Sequence, residues 1–162
     1  LDMALELPSL NHVYFVENDY LHKDDSWEVL QQGIRLGFPY VTLYDHIDKY
    51  IPKHQGGNPF IESDGGEHSK VYLTKSCHWK ITNSTTMTFA STVKDLQKDE
   101  PILRKWTKET HPHDFNMFTE LRQDHRYVIS SIPGYATHGE LQWLAPLTNW
   151  KEVALTKTIN LV

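Results

Sequence analysis

The sequence predicts an α+β protein in which N-terminal helices and a middle helix pack on a mainly antiparallel β-sheet. Helix-patterned segments come first along the chain, and most strand-patterned segments come later. Breaks at Asn83-Ser84 and Pro133-Gly134 separate the strand-patterned segments as turns would. That order predicts helices gathered on one face of the sheet.

Each element has its own warrant. Asn11 to Tyr20, with Val13, Phe15 and Val16, reads as a short strand or an irregular apolar segment. Asp24-Asp25-Ser26 precedes Trp27, Leu30 and Ile34 at helical spacing, and Gly37 closes what reads as an N-capped helix. Pro39 opens a second predicted helix, because Tyr40, Tyr44, Ile47 and Ile51 share one helical face. The competing reading takes Tyr40 to Tyr44 as a strand, since Val41 and Thr42 are β-branched. Pro52 to His68, with Gly56-Gly57, Pro59 and Gly65-Gly66, reads as a loop of about 15 residues. Alternation marks strands at Ser69 to Lys75, Trp79 to Thr82 and Thr85 to Phe89, the last two adjoining across Asn83-Ser84. Within Thr92 to Glu109, which contains Leu96, Leu103 and Trp106, Pro101 reads as the first turn of the middle helix, running to about Lys108, and Phe115 to Gln123 adds a helical turn or two. Tyr127 to Ile132, Glu140 to Leu144 and Lys151 to Leu161 read as three further strands.

The 162 residues match one domain, spanning 1–162. Leu1 at the start and the apolar Thr158 to Val162 at the end read as cuts from a longer protein, with Leu1 to Glu6 as extraneous leader. A formal net charge of −5 does not favour nucleic acid as a partner. The single cysteine, Cys77, excludes an internal disulfide and a multi-cysteine zinc site, and leans the reading toward the cytoplasm. No apolar run approaches the ~18 to 20 residues of a membrane span.

Composition departs furthest from the ordinary in its ten histidines, which point to a metal site, a proton-handling site or a pH-responsive surface. The densest group is His111-Pro112-His113-Asp114, followed by Glu120, Asp124, His125 and His138. His111, His113, Glu120 and His138 resemble a fragment of the cupin metal motifs, which implies one divalent transition metal (zinc, iron, nickel or manganese) on those four residues. The alternative puts His111 and His113 in a solvated loop after a helix. Tyr44-Asp45-His46-Ile47, Asn58 and Cys77-His78 resemble scattered pieces of an HNH nuclease motif. That resemblance implies Asp45 and His78 as ligands, His46 as general base and Asn58 as its orienter. The alternative makes Asp45 and Asp48 the wet side of a helix. His46 and Asp48 also form a His-x-Asp pair of the kind iron oxygenases use. Asn83-Ser84-Thr85 is a glycosylation acceptor tripeptide.

Aromatic residues supply the other candidate site, with Tyr135, Trp143 and Trp150 in or beside loops. Two functional expectations follow. The leading one is a non-catalytic recognition domain of a larger protein, binding a protein or other ligand through loops rich in histidine and aromatic side chains. The rival is a metal-dependent enzyme built on one of the two histidine sets.

Overall fold

The computed structural model describes residues 1–61 and 66–159, apart from the side chains of residues 158 and 159. Gly65 of the long loop and the last residues of the strand predicted at the C-terminus lie outside the described residues. Among the described residues five α-helices run α1 (Asp2–Leu5), α2 (Ser26–Ile34), α3 (Val93–Trp106), α4 (Asp114–Gln123) and α5 (Trp150–Ile159). The strands are β1 (His12–Phe15), β2 (Tyr20–His22), β3 (Tyr40–Thr42), β4 (Val71–Leu73), β5 (His78–Thr82), β6 (Phe89–Thr92), β7 (Val128–Ile132) and β8 (Ala136–His138).

Six strands form one sheet in the order β1-β6-β3-β7-β5-β4, and β2 pairs with β8 in a separate ribbon. Within the large sheet β3 and β7 pair in parallel, and its other four neighbouring pairs are antiparallel. The fold is therefore α+β with a mainly antiparallel sheet. Because β1 and β3 both run against β6, and β7 runs with β3, the strands β1, β3 and β7 all end at the same edge.

Both faces of the sheet are covered. Successive strand side chains point to opposite faces, so Tyr40, Phe89 and Val128 pack with α3 and α4 through Leu96, Leu103, Met117, Phe118 and Leu121. Their neighbours Val41, Ala90 and Ile129 pack on the other face with Val29 and Leu30 of α2 and with Trp79. Helices on one face only is thus corrected to helices on both, and for that reason the central strands carry consecutive apolar residues, Tyr40-Val41, Phe89-Ala90 and Val128-Ile129. Ala4 of α1 lies in the first core, beside the half-buried Leu1 and Leu5.

Other local expectations also change. The helix over Tyr40 to Ile51 gives way to β3 and a short 3-10 turn at Ile47–Tyr50. Tyr40, Val41 and Thr42 are all buried at the middle of the sheet, where β-branched packing overrides an accidental helical spacing. β5 and β6 do not adjoin, since β3 and β7 lie between them. Pro101 sits inside α3, not in its first turn; Thr92 caps that helix by accepting from the Asp95 amide at 3.0 Å. Glu140 to Leu144 holds a 3-10 turn, and Lys151 to Leu161 is helical within the described residues. Asn149 accepts the Glu152 amide at 3.3 Å, as an N-cap does for the third residue of a helix.

Candidate metal centre

The shared strand edge gathers polar chemistry, as the carboxyl ends of parallel strands do in open sheets. Glu17 and Asp19 follow β1, His46 follows β3, and the ribbon strand β8 follows β7 and ends on His138. Pairing in the ribbon sets Tyr20 opposite His138, which brings the segment just before β2 against the end of β8. One ligand atom each from Glu17, Asp19 and His138 lies within 4.8 Å of the others, and among the described residues this is the one group of three or more His, Cys, Asp or Glu side chains so arranged.

His138 and Asp19 face each other through Nε2 and Oδ2 at 3.2 Å, with the His138 side chain 12% exposed and that of Asp19 46% exposed. Nδ1 of His138 accepts the Glu140 amide at 3.2 Å, so the proton of the neutral ring sits on Nε2, toward Asp19. Tyr20 meets the His138 ring edge-on at a centroid distance of 5.6 Å. A Cβ on Gly139 would meet the Asp19 carbonyl oxygen at 2.6 Å, so glycine permits this approach of the two backbones. Burial, and then the Asp19 carboxylate, push the Glu17 carboxyl above its ordinary value. A divalent cation between them would reverse that repulsion.

The histidines sort by exposure. Seven are exposed, and the three that are not, His22, His46 and His138, lie on the ribbon or the shared edge. His46 packs on Tyr44 and Trp143 at 5.0 and 5.5 Å, and Tyr44 packs on Tyr20 at 5.5 Å, so an aromatic row runs from Trp143 to His138.

Of the cupin-like set, only His138 belongs to this group. His111 and His113 are exposed between α3 and α4. His113 Nε2 lies 3.3 Å from Glu109, and Glu120 accepts from Lys105 at 2.7 Å and from the Trp106 indole at 2.6 Å. The HNH-like set is divided as well. Asp45, fully buried, pairs with Lys80 at 2.9 Å and accepts from Tyr50 at 2.8 Å, whereas His78 stands exposed at the start of β5. His46 Nδ1 lies 3.0 Å from Asp48, whose other oxygen accepts from Asn58 at 3.0 Å. Burial pulls the Asp48 carboxyl upward, but His46, Lys49 and Asn58 outweigh it and hold it below its ordinary value. Asn83 is fully buried and accepts from Lys49 and Asn58, so its acceptor tripeptide is closed to glycosylation in this fold.

The aromatic candidates also separate. Trp150 is 4% exposed and donates to the Ala145 carbonyl at 2.7 Å, an anchor of the interior. Tyr135 lies half-buried under Lys23, whose ammonium sits 4.5 Å from the ring centroid. Trp143 is half-buried beside His46 at the edge.

Sequence reasoning missed Glu17 and Asp19. The signal was two carboxylates separated by one residue at the end of a predicted strand, a spacing that puts both on one side of an extended chain; in the structure they lie beyond the end of β1 at Phe15. No protein-family model, curated protein or solved structure matches the chain. Fold and site alone therefore define its class: an α+β domain with a Glu-Asp-His cluster at the carboxyl edge of its sheet. No helix among the described residues is long and apolar enough to cross a membrane.

Proposed function

We propose that this chain carries the metal centre of a metal-dependent enzyme, with Glu17, Asp19 and His138 as ligands. The observation that carries the reading is the convergence of those three ligand atoms within 4.8 Å. Two carboxylates and one imidazole form a mixed oxygen and nitrogen set that suits manganese, iron or zinc. Three protein ligands leave positions open for an oxygen of a substrate or water, the arrangement a Lewis-acid centre requires. Binding at Nε2 of His138 would displace its proton to Nδ1 and release the Glu140 amide.

A calorimetric titration with Mn²⁺ tests this. Wild type is expected to take up about one equivalent, and the double variant Glu17→Gln, Asp19→Asn to lose saturable binding. Equal binding by both proteins would refute the assignment.

A recognition role is the second reading, favoured by Leu141 and Leu147, which are 87% and 78% exposed on the segment that carries Trp143. It commits that segment to contact with a protein or other ligand, and it does not require a metal.

A further inference from the structure

The turn at Thr85–Thr88 has two consecutive non-glycine residues in the left-handed region, Thr86 at φ 44° and Met87 at φ 55°. Such backbone persists only where surrounding contacts over-determine it. Here the contacts come from one carboxylate oxygen: Asp114 Oδ2 accepts the Thr85 and Thr86 amides at 2.7 Å each and the Thr85 hydroxyl at 3.4 Å. Asp114 begins α4, which is anchored in the core by Met117, Phe118 and Leu121 and tied to α3 by the His113 amide donating to the Trp106 carbonyl at 3.0 Å.

The same turn reaches the metal ligands. Thr88 Oγ1 accepts the backbone amide of Glu17 at 3.3 Å, and the Thr85 carbonyl accepts the Tyr20 hydroxyl at 3.2 Å. Thr42 of β3 holds the turn from the sheet by donating to the Thr88 carbonyl at 2.7 Å. Two bonds thus run from the turn to the segment bearing Glu17 and Asp19, and Tyr20 also packs on His138.

We propose that Asp114 is a positioning residue for the cation centre: by holding the Thr85–Thr88 turn in its left-handed form it fixes Glu17 and Tyr20, without itself binding the ion. This rests on the reading of Glu17, Asp19 and His138 as a cation site. Groups that orient ligands in this way change metal affinity about 10- to 100-fold when removed.

Asp114→Ala and Asp114→Asn separate position from charge, because the asparagine side-chain oxygen can accept the same two amides while carrying no charge. Two readouts are taken: hydrogen exchange of the Glu17 amide by NMR without metal, and Mn²⁺ affinity by electron paramagnetic resonance. Asp114→Ala is expected to speed Glu17 exchange and to weaken Mn²⁺ binding by about tenfold or more. Asp114→Asn should return both to within about threefold of wild type. Unchanged Glu17 exchange in Asp114→Ala overturns the proposal, as does an Asp114→Asn variant that loses as much affinity as the alanine. Wild type that binds Mn²⁺ no better than Asp114→Ala, while still binding it, overturns the proposal alone; wild type without binding overturns the cation reading beneath it. Should Asp114→Ala fail to fold, Thr88→Val removes the acceptor of the Glu17 amide at nearly constant volume, and the same losses are expected; wild-type behaviour in that variant overturns the proposal.

Discussion

At the scale of single residues, the histidines differ in what their surroundings do to them. His22 lies on the ribbon with its Nε2 2.9 Å from the Tyr14 hydroxyl, and burial, then the Lys157 charge, lower its pKa below the ordinary 6.5. A base whose folded pKa is lowered takes up its proton more readily when unfolded, so its contribution to stability falls as pH drops below about 6.5 and levels off below the folded value. Urea unfolding at pH 7 and pH 5 should therefore show a larger loss on acidification in wild type than in His22→Leu. An equal loss in the two proteins would mean that His22 is not the group concerned. Site residues were only partly legible at this scale. His138 stands out in the sequence because a histidine after Pro133-Gly134 suggests a ligand, but its partners come from 119 or more positions earlier, and no local pattern connects them. Only the pairing of Tyr20 with His138 does so.

Elements were legible where local chemistry and packing agree. α2 forms over the predicted segment, although Asp25 makes no side-chain cap, Trp27 is exposed and the helix ends at Ile34, and β7 forms where Val128, Ile129 and Ile132 favour a strand. They failed where two patterns fit the same letters. Val153 and Leu155 alternate as a strand would, while Asn149 and Glu152 signal a helix start; the cap decides. In β3 the helical spacing of the tyrosines and isoleucines lost to the demand of a sheet centre buried on both faces. The contact of α2 with the sheet yields a sharp test. A Cβ on Gly33 would meet the Trp79 ring at 2.4 Å and Val41 at 2.7 Å. Gly33→Ala should therefore lower stability by about 1–3 kcal/mol through overpacking, although alanine favours a helix by about 1 kcal/mol over glycine. Chemical denaturation reads the outcome, and a stabilised variant would mean that Gly33 does not set the distance of α2 from the sheet.

For the molecule as a whole, the parallel course of β1, β3 and β7 is the organising fact. It carries the chain from core strands to one polar edge three times and so collects residues from positions 17 to 138. Behind that edge the interior is charged as well as apolar. Asp45 and Lys80 form a pair that is almost wholly buried, and Lys49 is fully buried with Asn83 as its partner. Such groups stabilise only when all partners are present, and they hold the segment after β3 in one place. Composition alone announced many histidines without saying that most are displayed to solvent and few are gathered. The most direct test of the account is the anomalous X-ray signal of crystals soaked in Mn²⁺. A single strong peak within about 2.0–2.3 Å of Glu17, Asp19 and His138 ligand atoms is the predicted result. A peak at His111 and His113 instead, or none near the β2–β8 ribbon, would contradict the central claim.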